Sequence, residues 1–263
     1  MKNEKNFKNG YSQLNGLNMY YEIHGEGKPL VLIHGGGSTI ETSFGNIIPL
    51  LAGKRQIIAM ELQAHGHTND RDSDLTFEQD AEDIVTLLKN LNIDKADFLG
   101  FSNGGHTTIA MALKYPGIIR KMILASAFYN REGVAPQFWD GFEGATLDMM
   151  PELLKAGYLK ANNDENGLLN MFNRDVQRMK TFKGWTAGQM QSINKPTLVI
   201  NGNKDVGTIE HAVEMSRLIP NSVLTILPGS HGTYLGAIES LENGKWTMQY
   251  TVGLILDFLD GTE

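Results

Sequence analysis

Six short β-rich runs alternate with helix-forming segments along this chain, and that alternation constrains the fold more than any other feature. The runs are mostly apolar and lie at Leu30–Ile33, Gln56–Met60, Asp97–Leu99, Met122–Ala125, Thr197–Ile200 and Val223–Leu227. Near-continuous apolar runs are typical of parallel strands that are buried on both faces. Helices between them would supply the crossovers, so the sequence predicts an α/β fold with a doubly wound, mostly parallel sheet.

An antiparallel hairpin is predicted to precede this sheet. Asn15-Gly16 separates two strand-like segments, Tyr11–Leu14 and Leu17–Ile23, and Asn-Gly in this setting is a strong signal for a two-residue turn. Apolar spacing and stop signals predict helices from Thr76, at Ser102–Tyr115, at Thr208–Leu218 and at Lys245–Leu259. The first of these begins with Thr76-Phe77-Glu78-Gln79, which has the pattern of a capping box.

Residues 130–194 interrupt the alternation, because they contain helical patches without a convincing strand. The segment lies between two predicted strands of the sheet. We therefore expect a core made of residues 1–129 and 195–263, with residues 130–194 inserted as a helical lid over the carboxyl edge of the sheet, where such folds bind ligands. A few peripheral helices around an ordinary core are the alternative.

The composition excludes several classes of function. The chain has 263 residues, 41% of them apolar, which is enough to fill one sizeable core. It has no cysteine, so thiol nucleophiles, Fe–S clusters and zinc fingers are excluded. A net charge of −7 argues against nucleic-acid and membrane partners. Met1–Gly10 lacks an apolar signal region and no uncharged apolar run is long enough to span a bilayer, so we expect a cytoplasmic protein.

A candidate nucleophile follows the third run. Gly100-Phe101-Ser102-Asn103-Gly104-Gly105 matches G-x-S-x-G between a predicted strand and a predicted helix. In this setting Ser102 would stand on a sharp turn with its Oγ exposed, and the flanking glycines would leave room where strand and helix crowd together. The alternative is a serine that only caps the helix.

A glycine-rich loop after the first run is a candidate oxyanion hole. The sequence there is His34-Gly35-Gly36-Gly37. A tetrahedral oxyanion needs two backbone N–H donors, and we expect them to be Gly36 and Asn103, with His34 bracing the loop. A plain glycine turn and a phosphate cradle are the alternatives, but neither nucleotide-binding glycine motif occurs in the chain.

His231 and Asp205 are the candidate base and orienting acid. Among seven histidines, only His231 lies in a glycine-containing loop directly after the last predicted strand. Asp205 ends the loop after the preceding strand, so both side chains should reach the carboxyl edge beside Ser102. The order Ser102, Asp205, His231 is that of the α/β-hydrolase arrangement.

His65-Gly66-His67 is a possible seed for a metal site. A metal hydrolase of the β-lactamase type would need Asp and His after Thr68, where this chain has Asn69 and Asp70. We therefore predict no metal and no cofactor, and we expect the two histidines to shape a loop beside the active site.

Together these segments resemble the α/β-hydrolase superfamily, and most of all the small bacterial serine esterases and lactonases that include 3-oxoadipate enol-lactonases and cofactor-free haloperoxidases. The matching segments are His34–Gly37, Glu61–Thr68, Gly100–Gly105, Asn201–Asp205 and Gly229–His231. Two departures are visible, since the family's usual D-x-x-G-x-G-x-S loop is E-L-Q-A-H-G-H-T here and Asn103 stands where Met or Gln is common. A serine at position 102 argues against epoxide hydrolases and haloalkane dehalogenases, which use aspartate.

The resemblance implies hydrolysis of a small carboxylic ester or lactone through an acyl-enzyme on Ser102. Carbon–carbon hydrolysis of a diketone-type substrate by the same residues stays open, as does a non-catalytic ligand receptor on this scaffold. Aromatic and methionine side chains in and near the predicted lid are expected to line the substrate pocket, with core packing as the alternative for each: Phe128, Tyr129, Trp139, Met150 and Trp185. A homo-oligomer is possible and cannot be predicted from these residues.

Overall fold

One eight-stranded sheet organises the protein. A computed structural model describes residues 7–243 and 245–261. Its strands are β1 (Phe7–Leu14), β2 (Leu17–His24), β3 (Pro29–Ile33), β4 (Gln56–Met60), β5 (Ala96–Phe101), β6 (Ile119–Ala125), β7 (Thr197–Gly202) and β8 (Ser222–Leu227). Their order across the sheet is β1-β2-β4-β3-β5-β6-β7-β8. Only the pairs β1–β2 and β2–β4 are antiparallel, which confirms the predicted, mostly parallel α/β sheet.

Ten α-helices connect and cover these strands in the described part of the chain. They are α1 (Ile40–Phe44), α2 (Ile48–Leu51), α3 (Phe77–Asn90), α4 (Asn103–Lys114), α5 (Pro136–Glu143), α6 (Glu152–Ala161), α7 (Glu165–Thr181), α8 (Ala187–Gln191), α9 (Ile209–Leu218) and α10 (Lys245–Asp260). The four helices predicted from apolar spacing correspond to α3, α4, α9 and α10.

The predicted hairpin turn is confirmed, whereas the predicted capping box forms only in part. Asn15 and Gly16 have φ of 46° and 82°, as a tight hairpin turn with two left-handed residues requires. At the start of α3, the Thr76 hydroxyl accepts from the Gln79 N–H at 3.1 Å. The Gln79 side chain donates to Asp83 instead of returning to Thr76, so only one half of the predicted capping box forms.

Two apolar cores cover the two faces of the sheet. In β3, Val31 and Ile33 belong to the core under α3 and α4, whereas Leu30 and Leu32 belong to the core on the other face, and none of the four is exposed. Because successive side chains of a strand point to opposite faces, a strand buried on both sides is apolar at most of its positions. The continuous apolar runs in the sequence follow from this arrangement.

The chain between β6 and β7 forms α5 to α8 and contains no strand within the described residues. Buried side chains of α6 and α7 make a third apolar cluster that includes Ala64, in the loop after β4. These helices therefore cover a loop at the carboxyl edge of the sheet. Within 7–243 and 245–261, no helix has both the length and the apolar character needed to cross a bilayer.

Candidate active site

Ser102 occupies a strained turn between β5 and α4. Its φ and ψ are 53° and −119°, in a region that residues other than glycine rarely adopt and that is common at functional sites. The Ser102 N–H donates to the Ala125 carbonyl at 2.9 Å, which ties the turn to the end of β6. Its side chain makes no hydrogen bond to the helix that follows. Ser102 thus occupies the N-terminal cap position of α4, but its hydroxyl does not cap the helix.

Two glycines allow this turn to form. A Cβ on Gly100 would lie 2.2 Å from the Gly104 carbonyl oxygen, and a Cβ on Gly104 would lie 2.0 Å from the Ile33 carbonyl oxygen. Both distances are far inside van der Waals contact and both partners are backbone atoms, which cannot rotate away. The strand–turn–helix geometry therefore requires glycine at both positions of the motif.

A cavity of about 360 Å³ borders Ser102, within the range typical of small-molecule sites. Most of its wall is apolar and comes from the segment between β6 and β7. The residues lining it are Gly36, Gly37, Ser102, Asn103, Phe138, Gly141, Phe142, Ala145, Met149, Met150, Pro151, Leu154, Phe172, Asp175, Val176 and Met179.

The two expected oxyanion donors both border this cavity. Among the described residues, the N–H groups of Gly36 and Asn103 donate to no protein acceptor, so both are available to a ligand. The neighbouring N–H of Gly37 differs, because it donates to the Asp175 carboxylate at 2.6 Å. Asp175 lies on α7, and sequence reasoning did not single it out.

His231 and Asp205 form a hydrogen-bonded pair at the ends of neighbouring strands. His231 Nδ1 donates to Asp205 Oδ1 at 2.6 Å, which leaves Nε2 as the nitrogen able to accept a proton. Burial lowers the pKa of His231, but the hydrogen bond and charge of Asp205 outweigh this and raise it above its ordinary value. Burial conversely raises the pKa of Asp205, and His231 together with other donors lowers it overall.

Further donors hold the Asp205 carboxylate. The N–H of Gly202 donates to Oδ2 at 3.0 Å and the N–H of Val206 to Oδ1 at 2.8 Å. The Ser126 hydroxyl also donates to Oδ2, at 2.5 Å, and Ser126 lies 2.7 Å from the Tyr234 hydroxyl. Ser126 has a φ of 52°, a second strained residue at a strand end. Sequence reasoning missed Ser126 and Tyr234, because neither belongs to a motif.

The residue before Ser102 contacts His231, whereas Ser102 itself is not hydrogen-bonded to it. Phe101, the residue before Ser102, has its ring centroid 4.9 Å from that of His231. Within residues 7–243 and 245–261, no hydrogen bond joins the Ser102 hydroxyl to the His231 ring. Such contacts are often loose in the absence of substrate and tighten when it binds.

Two other histidines near the site, His34 and His67, have structural partners. His34 Nδ1 lies 2.8 Å from the Gly35 carbonyl, and His34 Nε2 accepts from the Leu62 N–H at 3.0 Å, so the ring is neutral and bridges the loops after β3 and β4. Burial lowers the pKa of His34 to about 3. His67 lies 2.8 Å from Glu61. No group of three or more His, Asp or Glu side chains in the described chain has a metal-binding arrangement.

Of the five predicted pocket residues, only Met150 lines the cavity. Trp139 and Phe128 pack in an aromatic cluster with Phe182, where Trp185 also lies. The Tyr129 ring stacks on His211 at 4.6 Å. These four side chains therefore occupy the core position that was the alternative to a pocket role, since large apolar rings gain most from complete burial.

The chain matches a known protein family. A family model described as the alpha/beta hydrolase fold matches residues 28–163, which include the loops of Gly36 and Ser102. The structure is similar to the enol-lactonase of Burkholderia xenovorans LB400, with a TM-score of 0.75 and 21% identity over 95% of this chain and 100% of that one.

Sequence relatives lead to the same family. The chain is 31% identical to the pyrrolizixenacetamide deacetylase of Xenorhabdus hominickii, over 85% of this chain and 89% of the relative. It is 25% identical to a 2-hydroxy-6-oxo-6-(2'-aminophenyl)hexa-2,4-dienoic acid hydrolase of Metapseudomonas resinovorans, over 92% and 90% of the two chains. The chain belongs to the α/β-hydrolase family, and its relatives indicate an enzyme of the hydrolase class.

Proposed function

We propose that this hydrolase cleaves small carboxylic esters or lactones with an apolar acyl group, through an acyl-enzyme on Ser102. One observation carries the proposal. Ser102, whose hydroxyl does not cap α4, lies on a strained turn and borders an apolar cavity. Two backbone N–H groups that have no protein acceptor among the described residues, those of Gly36 and Asn103, border the same cavity. A nucleophile beside a prepared pair of oxyanion donors is what acyl transfer requires.

The reaction proceeds in two steps. Ser102 Oγ attacks the substrate carbonyl while its proton passes to His231 Nε2, and the N–H groups of Gly36 and Asn103 stabilise the oxyanion. The intermediate expels the alcohol, which takes the proton from His231, and leaves the acyl group on Ser102. His231 then removes a proton from water, whose oxygen attacks the acyl group to form a second tetrahedral intermediate. When this intermediate collapses, its bond to Ser102 breaks, His231 returns the proton to Ser102 Oγ and the acid leaves. Asp205 holds the Nδ1 proton and stabilises the imidazolium throughout.

The cavity supports an apolar acyl group of moderate size. Its volume of about 360 Å³ has room for roughly 12 non-hydrogen atoms, if each takes the 30 Å³ of a liquid water molecule. We propose that residues 130–194 act as the lid of this cavity, because twelve of the sixteen residues that line it belong to this segment. Phe142, Phe172 and Met179 are apolar members of that wall.

The cavity charge favours an ester or lactone over a dienoate acid. Among the described residues, no Lys or Arg side chain lines the cavity, and its one charged lining residue is Asp175. A carbon–carbon substrate of the dienoic acid type carries a carboxylate, and that carboxylate would find no cation in the cavity wall. The test below therefore includes carbon–carbon hydrolysis of such a dienoate.

The test measures hydrolysis of p-nitrophenyl esters of increasing acyl length, of lactones and of a ring-fission dienoate. We expect turnover of apolar esters or lactones, and a loss of at least about 10³-fold in Ser102→Ala. Ser73→Ala, which changes an exposed serine, is the control and should match the wild type. Equal rates in the wild type and Ser102→Ala would refute the nucleophile, and turnover of the dienoate alone would refute the substrate class.

A further inference from the structure

The loop that carries the oxyanion donor Gly36 has one support from a distant part of the chain. We call residues 35–38 the oxyanion loop. Two nearby residues support it: His34 donates to the Gly35 carbonyl, and Ser43 Oγ accepts from the Gly35 N–H at 3.4 Å. The distant one is Asp175, on α7, 138 residues further along the chain. A Cβ on Gly36 would lie 3.3 Å from Asp175 Oδ2, so this carboxylate lies against the donor residue itself.

Such a loop needs support, because glycines lose the most conformational entropy on ordering. Three consecutive glycines precede Ser38, and Gly37 adopts a φ of 64°. Oxyanion donors act through being fixed before the reaction, so any freedom of this loop subtracts from the stabilisation of the transition state. The bond from the Gly37 N–H to Asp175 removes freedom one residue away from the donor.

His65 gives Asp175 a positive partner. Its Nδ1 lies 2.8 Å from the Gln63 carbonyl oxygen and its Nε2 lies 2.9 Å from Asp175 Oδ2. A carbonyl and a carboxylate can only accept, so both ring nitrogens must donate and the ring is an imidazolium.

Asp175 is part of a buried chain of alternating charges. Arg178, one turn further along α7, donates to Asp175 Oδ1 and, at 2.8 Å, to Asp80 Oδ2. Asp80, Arg178, Asp175 and His65 are each no more than 8% exposed. Two carboxylates and two cations sum to zero, so the negative charge of Asp175 is balanced where an oxyanion would form. Without its cations the same carboxylate would repel that oxyanion.

We propose that Asp175 is a positioning residue that couples the lid to the oxyanion loop. With α7 docked, Asp175 holds the Gly37 N–H, and the Gly36 N–H is presented to the cavity. When α7 moves away, the loop loses this support, so closing the lid and assembling the oxyanion hole are one event. The coupling rests on the proposed function, because it assigns the loop the role of binding an oxyanion.

Asp175→Asn tests the coupling, with Asp70→Asn as the matched control. Asp70 also ties α7 to the core, because it contacts Arg174 at 2.6 Å and accepts from Asn170 at 2.9 Å. It accepts from Gln63 Nε2 at 2.8 Å as well, and none of these three partners belongs to the oxyanion loop. We expect Asp175→Asn to lower kcat on an apolar ester at least tenfold and to change KM less than threefold, because the oxyanion exists only in the transition state. Asp70→Asn should stay within twofold of the wild type.

Two further measurements, the Kd of a trifluoromethyl ketone and the hydrogen exchange of Gly37, distinguish the proposed coupling from a general loosening of the lid. A general loosening would change both quantities equally in the two variants. The ketone forms an oxyanion adduct, so its Kd should rise at least tenfold in Asp175→Asn and not in Asp70→Asn. Mass-detected hydrogen exchange should show faster exchange of the Gly37 amide in Asp175→Asn alone. If Asp175→Asn does not fold, His65→Gln replaces it and should show the same changes in the same direction.

The outcomes separate the two proposals. Equal losses in Asp175→Asn and Asp70→Asn, or an unchanged kcat and an unchanged Gly37 exchange in Asp175→Asn, would overturn the coupling. A wild type that hydrolyses none of the esters or lactones and is not labelled by a fluorophosphonate would overturn the proposed function. In that case the exchange of Gly37 still decides whether Asp175 holds the loop.

Discussion

Replacing Ser126 with alanine removes one donor from the Asp205 carboxylate and leaves the others in place. Ser126 donates to Oδ2 at 2.5 Å, and Oδ2 keeps the Gly202 N–H at 3.0 Å. Because the single proton of the Ser126 hydroxyl goes to a carboxylate, the Tyr234 hydroxyl donates to Ser126 at 2.7 Å, and the Ile200 carbonyl oxygen, at 3.3 Å, is the more distant of its two acceptors. The substitution therefore breaks a relay of two hydroxyl groups that ends on Asp205.

The size of the effect follows from these bonds. A hydrogen bond to a charged group contributes about 1.5–3 kcal/mol to the free energy of unfolding, which corresponds to a fall in Tm of about 3–12 °C for a protein of this size. The charge of Asp205 remains, so kcat should fall less than tenfold. A carboxylate with one donor fewer holds the His231 proton more tightly, so the acid limb of kcat/KM should move to higher pH.

Thermal unfolding and a pH profile of ester hydrolysis measure both effects. Tyr234→Phe is the companion variant. It should shift Tm and the acid limb in the same directions by smaller amounts, because the Tyr234 hydroxyl that it removes polarises Ser126 and does not contact Asp205. A Ser126→Ala protein with an unchanged Tm, or with an acid limb displaced to lower pH, would refute the role assigned to this hydroxyl.

Three further predictions follow. His231 must be neutral to accept a proton, and its pKa is raised by Asp205, so kcat/KM of the wild type should fall as the pH drops through that raised pKa. Asp205→Asn should move this acid limb to lower pH and reduce kcat about 10⁴-fold. An acid limb that does not move in Asp205→Asn would contradict the pairing of the two residues. Phe142→Ala enlarges the cavity, so kcat/KM should rise about fourfold for each additional methylene that the new space buries; an unchanged chain-length optimum in the ester panel would place the acyl group elsewhere. Asp97→Asn breaks a buried ion pair with Arg55 at 3.1 Å and should lower the free energy of unfolding by about 3–5 kcal/mol in denaturant titrations, whereas kcat of the folded enzyme should not change.

The central strands β3 to β7 could be predicted from the sequence because each of them is buried on both faces and is therefore largely apolar at consecutive positions. The same physics explains why Gly100 and Gly104 were recognisable, since backbone atoms occupy the space where a Cβ would lie. The pairing of His231 with Asp205 could be anticipated because parallel strands end at one edge of the sheet. Their roles in catalysis, and those of Ser102, Gly36 and Asn103, remain predictions.

The contacts between residues 130–194 and the rest of the protein could not be predicted, because they join residues far apart in the chain. Asp175 bonds to Gly37 across 138 residues, and no local pattern specifies that partner. One signal was available, since Asp175 and Arg178 lie on the same face of α7 as the buried Leu168 and Met171. Charged residues on the apolar face of a helix require buried partners. Aromatic side chains gave no such signal, because a core and a pocket select the same residue types.

Detection of an acyl group on Ser102 tests the central claim most directly. Enzyme mixed with p-nitrophenyl butyrate is quenched in acid within the first turnovers, digested and examined by peptide mass spectrometry. The account predicts one butyryl group on the peptide that contains Ser102 in the wild type, and no labelled peptide in Ser102→Ala. Turnover that continues in Ser102→Ala, or an acyl group found only on another residue, would contradict it.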